Sequence, residues 1–274
     1  MNKIYHLLHQ NSKPVVMGIL NVTPDSFSDG GKFSKLDSAF VHAESMIEQG
    51  ANIIDIGAES SRPGATAISA KEERSRLEPI LRKFKKEFSV PLSIDTYKPE
   101  IMELAIDYGV DMINDIYALQ KPGALNVVSR ADVYVCIMHM QGTPKDMQNS
   151  PHYSNIVEEI TFFITNRISA CEEAGINKDR LIIDPGFGFG KTHEHNIELF
   201  KGIKNFKHFS LPLLVGVSRK SMITKMIEEE EGDIIQIGAI LAMLAVIDGA
   251  KIVRVHDVEE TIRVLKILEY LESK

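Results

Sequence analysis

The sequence predicts an α/β fold built as one closed barrel of eight parallel strands surrounded by helices. Short apolar runs alternate with longer amphipathic stretches along the whole chain, and this alternation is typical of parallel βαβ units. The chain has 274 residues, and a (β/α)8 barrel occupies about 250 residues as a single domain. We therefore expect one TIM-barrel domain over residues 1–274.

Eight apolar runs are the predicted strands. Each is almost continuously apolar, as expected of a strand buried on both faces. They cover residues 15–20, 52–57, 91–95, 111–115, 133–138, 180–184, 212–216 and 251–255. Helical patterns cover residues 36–49, 71–87, 99–108, 122–130, 154–174, 195–201, 219–248, with a break expected near Gly232, and 258–272. Eight strand–helix pairs in this length favour a closed barrel over a doubly wound open sheet.

Two of the predicted strand-to-helix connections are long. Loop 1, residues 21–35, follows the first strand, and loop 2, residues 58–70, follows the second. Connections of this kind usually have about 2–6 residues. Both loops contain glycine and lie on the face where barrel enzymes place their active sites, so we expect them to act as lids. The alternative is that they are plain surface insertions.

Composition argues against several classes of partner. The formal net charge is −7, so a broad nucleic-acid surface is not expected. The longest apolar run, residues 237–247, is shorter than the ~20 residues that a membrane span needs. The N-terminus lacks a signal-peptide pattern, and the two cysteines form neither a disulfide framework nor a zinc cluster. We expect a cytoplasmic protein that binds neither nucleic acid nor membrane.

Polar side chains follow almost every predicted strand. In a barrel the C-terminal ends of the strands converge on one mouth, where active sites lie. An acceptor set suits a flat heterocycle rich in N–H donors, and it consists of Asp95, Asn114 and Asp184. A cationic set, whose members are positively charged or can become so, suits an anion such as phosphate, and it consists of Arg62, Lys220, Arg254 and His256. The alternative reading is internal salt bridging among these groups.

Two other motifs do not carry the chemistry they resemble. The stretch GFGFGKT at residues 186–192 has three residues, instead of four, between its first and third glycines, so it is not a P-loop. The pair His193 and His195 is more typical of a solvated helix start than of a metal site.

The chain resembles the dihydropteroate synthase family in eight blocks that span almost its whole length in the family's order. The most specific blocks are MGILNVTPDSFSDGG at residues 17–31 and DPGFGFGK at residues 184–191. The remaining blocks are GAESSRPGA (57–65), SIDTYKP (93–99), IND (113–115), MHMQGTP (138–144), GVSRKSMI (216–223) and VRVHDV (253–258).

The resemblance implies that p-aminobenzoate displaces pyrophosphate from a hydroxymethyl dihydropterin pyrophosphate, giving 7,8-dihydropteroate. It implies a pterin site formed by Asp95, Asn114, Ile116, Met138, Asp184 and Lys220. It implies a p-aminobenzoate site formed by Phe27, Ser61, Arg62, Pro63, Phe189 and Ser221. Pyrophosphate would bind Arg254, Val255 and His256, with Asn21 helping to hold Mg²⁺, and the catalytic residues would be Lys220, Arg254 and His256. A homodimer is also implied.

This chain departs from the family pattern in two places. Ser61 stands where the family commonly has threonine, and residues 232–248 lack the family's usual Arg-Leu and Gly-Thr pattern. We expect the second departure to affect helix packing or the dimer surface. Two other functions compete with the synthase. A pterin-binding methyltransferase acting on methyltetrahydrofolate would give residues 218–220 and 254–256 no purpose, and a non-catalytic scaffolding barrel would be expected to have lost some of these blocks.

Overall fold

The computed structural model describes residues 3–23, 32–230 and 233–273. Its strands are β1 (Val15–Asn21), β2 (Ile53–Gly57), β3 (Leu92–Asp95), β4 (Met112–Asp115), β5 (Tyr134–Met138), β6 (Leu181–Asp184), β7 (Leu214–Val215) and β8 (Ile252–Val255). Its helices are α1 (Lys3–Tyr5), α2 (Lys32–Glu48), α3 (Ala70–Glu87), α4 (Pro99–Asp107), α5 (Ala124–Ser129), α6 (Ile156–Glu173), α7 (His193–Lys201), α8 (Ser221–Glu230), α9 (Ile234–Ile247) and α10 (Val258–Glu272).

The eight strands form one parallel sheet that closes on itself. Their order is β6-β5-β4-β3-β2-β1-β8-β7, with β1 pairing in parallel with both β2 and β8. The last gap is closed by a parallel bridge between Ile183 and Leu213. The predicted (β/α)8 barrel is therefore confirmed, and every predicted strand lies within two residues of an observed one.

Strand alternation divides the core into two layers. One layer fills the barrel interior with residues such as Met17, Cys136 and Ile182. The start of the chain plugs the lower end of the barrel, because Ile4 and Leu8 belong to this inner cluster. Because successive strand residues point to opposite faces, the intervening residues pack outward against the helices. Inward positions near the upper end of each strand are thus left to line the mouth.

One predicted connection needs adjustment, and the others follow the prediction. Helix α2 begins at Lys32, four residues earlier than predicted, so loop 1 is shorter than expected. Phe27 and the rest of residues 24–31 lie outside the described residues. Loop 2 is long as predicted, because β2 ends at Gly57 and α3 begins at Ala70. The predicted helix 219–248 is two helices, α8 and α9. Among the described residues, no helix is long and apolar enough to cross a membrane.

Candidate active site

The inward positions at the upper ends of the strands carry polar side chains that meet across the barrel. Strand β3 ends at Asp95, β4 carries Asn114, β6 ends at Asp184 and β8 carries Arg254. Register explains part of this grouping, since Asp95 pairs with Asn114 on the adjacent strands β3 and β4. The predicted acceptor set and Arg254, a member of the predicted cationic set, therefore share one mouth.

Arg254 bridges two carboxylates in this mouth. Its Nε lies 2.7 Å from Asp55 Oδ2, and its NH2 lies 2.9 Å from Asp95 Oδ2. Burial lowers the pKa of Arg254, but the two carboxylates outweigh this effect and raise the pKa above its ordinary value. Internal salt bridging, the alternative to an anion site, is therefore observed for Arg254. A ligand that binds Arg254 has to compete with these ion pairs.

Asp55 is the functional candidate that the sequence patterns did not single out. It lies within β2, is fully buried at 0% exposure, and also accepts a hydrogen bond from Asn114 Nδ2 at 3.2 Å. A signal was available, because an aspartate in an otherwise apolar buried strand must face the barrel interior or be left unpaired. Sequence alone did not reveal that its partners come from β4 and β8.

Burial raises the pKa of both carboxylates in the acceptor set. It raises the pKa of Asp95 to about 7, although the Arg254 guanidinium opposes the shift. Burial also raises the pKa of Asp184, against the opposing charge of Lys220. Asp184 Oδ1 accepts a hydrogen bond from the Gly186 amide at 2.7 Å.

Lys220 lies on the opposite wall from Asp95. Its Nζ donates to the Phe187 carbonyl oxygen and sits 4.8 Å from the centre of the Phe189 ring. Burial lowers the pKa of Lys220 to about 8, and the charge of Asp184 partly opposes this. The side chain is therefore held between the acceptor set and an aromatic face, where a cation is attracted by the ring.

The glycine-rich loop, residues 185–192, is braced from beneath by Lys191. Lys191 is 2% exposed, and its Nζ lies 2.7 Å from Gly186 O, 3.0 Å from Phe189 O and 3.0 Å from His139 Nδ1. The loop also requires glycine at its start, because a Cβ on Gly186 would lie 1.8 Å from the His139 carbonyl oxygen. His139, which follows β5, thus supports this loop, and burial lowers the pKa of His139 to about 2.

His256 lies beside the mouth as a neutral imidazole. Burial, together with the positive charges of Arg254 and Arg219, lowers its pKa to about 4. Its Nδ1 lies 3.1 Å from Ser218 Oγ, which also accepts from the His256 amide at 3.2 Å. The lowered pKa of His256 favours its uncharged form at neutral pH. Arg219 pairs with Asp257 instead of entering the mouth.

Loop 2 starts from a buried cluster of charges. Lys98 is bound between the carboxylates of Glu59 and Glu73, and the Tyr97 hydroxyl donates to Glu59 Oε1 at 2.9 Å. Beyond this anchor the loop is held where the Gly64 amide donates to the Pro144 carbonyl at 2.9 Å. Glu59 is thus part of a structural ion cluster.

The remaining predicted residues fall into three groups. Ser61, Ile116 and Asp95 line one cleft between loop 2 and the ends of β3 and β4, and exposed Arg62 and Pro63 follow on the same loop. Buried Met138, half-buried Asn21 and exposed Ser221 lie at the ends or starts of β5, β1 and α8, as expected. The Val255 side chain belongs to the outer layer against the helices, so a ligand in the mouth could contact its main chain only.

Comparison with known proteins identifies the family of this chain. Residues 17–256 match the family described as pterin binding enzymes. The dihydropteroate synthase of Escherichia coli K12 is 46% identical over 258 residues, which cover 94% of this chain and 92% of the relative. The dihydropteroate synthase of Haemophilus influenzae is 46% identical over 256 residues, which cover 93% of each chain.

Solved structures give the same family. The Yersinia pestis dihydropteroate synthase with a sulfonamide drug has a TM-score of 0.89 and 46% identity, covering 96% of both chains. The Xanthomonas albilineans enzyme with 4-aminobenzoic acid has a TM-score of 0.89 and 42% identity, covering 96% of this chain and 94% of that one. This chain therefore belongs to the dihydropteroate synthase family of pterin-binding enzymes, which are transferases of folate biosynthesis.

Proposed function

We propose that the chain condenses 6-hydroxymethyl-7,8-dihydropterin pyrophosphate with p-aminobenzoate to give 7,8-dihydropteroate and pyrophosphate. The observation that carries this proposal is the sharing of one mouth by an acceptor set and a fixed cation, Arg254. A substrate with a donor-rich ring at one end and a pyrophosphate at the other matches both. The Xanthomonas relative, solved with 4-aminobenzoic acid, supports p-aminobenzoate as the second substrate.

The acceptor set recognises the pterin ring. Carboxylates at Asp95 and Asp184 accept N–H donors in charge-assisted bonds, which are shorter and stronger than neutral ones. Asn114 adds a neutral acceptor between them, and the apolar side chains of Ile116 and Met138, both nearly buried, line the ring's faces. A ring held at several points presents its reactive side chain toward the open end of the mouth, where the second substrate arrives.

The opposite end of the mouth stabilises the leaving pyrophosphate. Arg254 supplies fixed positive charge, and developing negative charge on a leaving group is stabilised most by groups already in place. His256 is neutral above a pKa of about 4. Its Nδ1 can accept the Ser218 hydroxyl proton, and the tautomer with hydrogen on Nε2 then donates to a phosphate oxygen.

Magnesium fits this end of the mouth as a partner of the pyrophosphate. Mg²⁺ prefers oxygen ligands and is commonly held by one or two protein groups plus substrate phosphates. Asn21 offers a side-chain oxygen at the end of β1, and no cluster of three or more His, Cys, Asp or Glu residues forms a cage in the described part of the chain. Bound there, Mg²⁺ would add charge stabilisation to the departing group.

The p-aminobenzoate side needs orientation more than proton transfer. An aniline nitrogen is already nucleophilic, so a strong general base is not required. Phe189 and Lys220 form a rigid wall, since Lys220 is fixed to the Phe187 carbonyl, and loop 2 brings Ser61, Arg62 and Pro63 to the other side. Arg62 is exposed and can reach the substrate carboxylate.

The deciding experiment incubates the purified protein with both substrates and Mg²⁺ and measures 7,8-dihydropteroate and pyrophosphate. Equal amounts of the two products are expected. Activity with methyltetrahydrofolate as methyl donor, in the absence of dihydropteroate formation, would instead support the methyltransferase. Binding of the pterin without turnover under any of these conditions would support a scaffolding barrel.

The chain also carries a surface suited to a second copy of itself. Ile240, Leu244 and Ile247 form one exposed stripe on α9, and Ile267 and Leu271 are exposed on the neighbouring helix α10. A patch of this kind on two adjacent helices is typical of a subunit interface. We propose a homodimer through this face, to be tested by sedimentation of Leu244→Glu, which is expected to be monomeric while the wild type is dimeric.

Two buried, unpaired cysteines support a reducing compartment such as the cytoplasm.

A further inference from the structure

Asp55 lies deeper in the barrel than the residues assigned to ligands, and it contacts one residue of the acceptor set and one residue of the cationic set. Its Oδ2 accepts from Arg254 Nε at 2.7 Å and from Asn114 Nδ2 at 3.2 Å. Asn114 belongs to the pterin set and Arg254 to the pyrophosphate set. Asp55 itself is 0% exposed, so a substrate in the mouth does not reach it.

The contact with Asn114 determines which way its amide points. An ionised carboxylate is an acceptor only, so the Asn114 group facing Asp55 must be the NH₂. The carbonyl oxygen of Asn114 is therefore presented away from Asp55, as a ring rich in N–H donors requires. With a neutral amide at position 55, the Asn114 side chain could turn over, and its NH₂ would then meet the N–H donors of the ring.

The contact with Arg254 is made from the protected side. The Asp55 side chain is 0% exposed, whereas that of Asp95, the second partner of Arg254, is 16% exposed. A ring that binds Asp95 Oδ2 would compete with the Arg254 NH2 bond, the more exposed of the two, and would leave the Nε bond to Asp55 intact. The released edge of the guanidinium is then free to donate to an anion, with one carboxylate fewer opposing that anion.

We propose that Asp55 is a positioning residue that holds Arg254 and Asn114 from beneath, so that ring binding at Asp95 turns one edge of the Arg254 guanidinium toward the pyrophosphate. This inference rests on the proposed function, because it takes Asp95 as a ring contact and Arg254 as a pyrophosphate contact. Its consequence is positive coupling: each half of the pterin substrate strengthens the binding of the other through one arginine.

The test compares the two halves of the substrate as separate probes. Calorimetry measures 6-hydroxymethyl-7,8-dihydropterin alone, pyrophosphate with Mg²⁺ alone, and each in the presence of the other. In the wild type we expect the ring to strengthen pyrophosphate binding at least about fivefold. In Asp55→Asn we expect ring affinity to fall about tenfold or more and the coupling to fall below about twofold.

Asp111→Asn is the matched control. Asp111 is a buried aspartate at the opposite end of the barrel, where its Oδ2 accepts from the Leu92 amide at 3.0 Å. We expect this variant to keep both ring affinity and coupling, even if it melts at a lower temperature. Equal losses in Asp111→Asn and Asp55→Asn would show a general effect of the fold and would overturn the proposal.

A second variant keeps the proposal testable if Asp55→Asn does not fold. Arg254→Lys retains one positive charge but lacks the forked donors that bridge two carboxylates, so coupling should disappear while ring affinity changes by less than about threefold. Coupling that survives in either variant overturns the proposal. A wild type that binds both probes without coupling overturns this inference alone, whereas a wild type that binds neither probe overturns the proposed function as well.

Discussion

Replacing Lys191 with methionine tests whether the glycine-rich loop owes its shape to one buried ammonium. Methionine has a similar length, so the change removes three donors with little loss of volume. Leaving a buried acceptor without a donor costs about 1–3 kcal/mol, and three acceptors are affected. Removing a buried charge recovers several kcal/mol of desolvation, and in line with this cost burial lowers the pKa of Lys191 well below its ordinary value. We expect a net destabilisation of about 2–4 kcal/mol.

The functional effect should fall on p-aminobenzoate more than on the pterin. Lys191 bonds the Phe189 carbonyl directly, and the Phe189 ring forms the wall beside Lys220. A displaced ring should raise the KM for p-aminobenzoate about tenfold or more, while the pterin Kd changes less than about threefold. The measurements are urea unfolding and steady-state kinetics, with exposed Lys201→Met on the adjoining helix α7 as the control. An unfolding free energy within about 0.5 kcal/mol of wild type, together with an unchanged KM, would refute the reasoning.

Three further predictions concern the mouth itself. Asp184→Ala removes charge-assisted bonds to the ring worth roughly 3–5 kcal/mol, so calorimetry should show about a thousandfold weaker pterin binding, and less than a fivefold change would contradict the ring contact. Because the pKa of Asp95 is raised to about 7 and only the carboxylate accepts two N–H donors, pterin affinity should rise about tenfold from pH 6 to pH 8; a flat profile would exclude an ionising Asp95. Because loop 2 must be ordered around a small ligand, p-aminobenzoate should bind about tenfold more weakly without pyrophosphate and Mg²⁺, and equal Kd values in both titrations would show a preformed site.

The strands and the mouth were predictable because they depend on local pattern and on one architectural rule. Buried parallel strands must be almost wholly apolar, so apolar runs such as residues 133–138 could be predicted to be strands. Once a closed barrel was expected, the residues following those runs had to converge on one face. The break between α8 and α9 was expected as well, and the observed helices end at Glu230 and begin again at Ile234.

Helix starts and supporting contacts were less predictable. The start of α2 was predicted at residue 36, whereas the helix begins at Lys32. The prediction was late because hydrophobic periodicity does not mark the first turn of a helix. Lys191 and Ser218 were visible in the sequence, but their partners His139 and His256 lie 52 and 38 residues away. A hydrogen bond between residues so far apart produces no periodic pattern in the sequence from which it could be predicted.

The sequence by itself determined the strand–helix alternation, the closed barrel, the two long loops and the polar character of the mouth. Only the tertiary structure decided which charges neutralise one another inside it. Arg254 reaches Asp55 across 199 residues of chain, and this contact exists because barrel closure brings β8 beside β1 and so close to β2. Burial likewise lowers the pKa of His256 to about 4 and raises that of Asp95 to about 7. Protonation depends on the surrounding solvent and charges, and those are properties of the folded barrel.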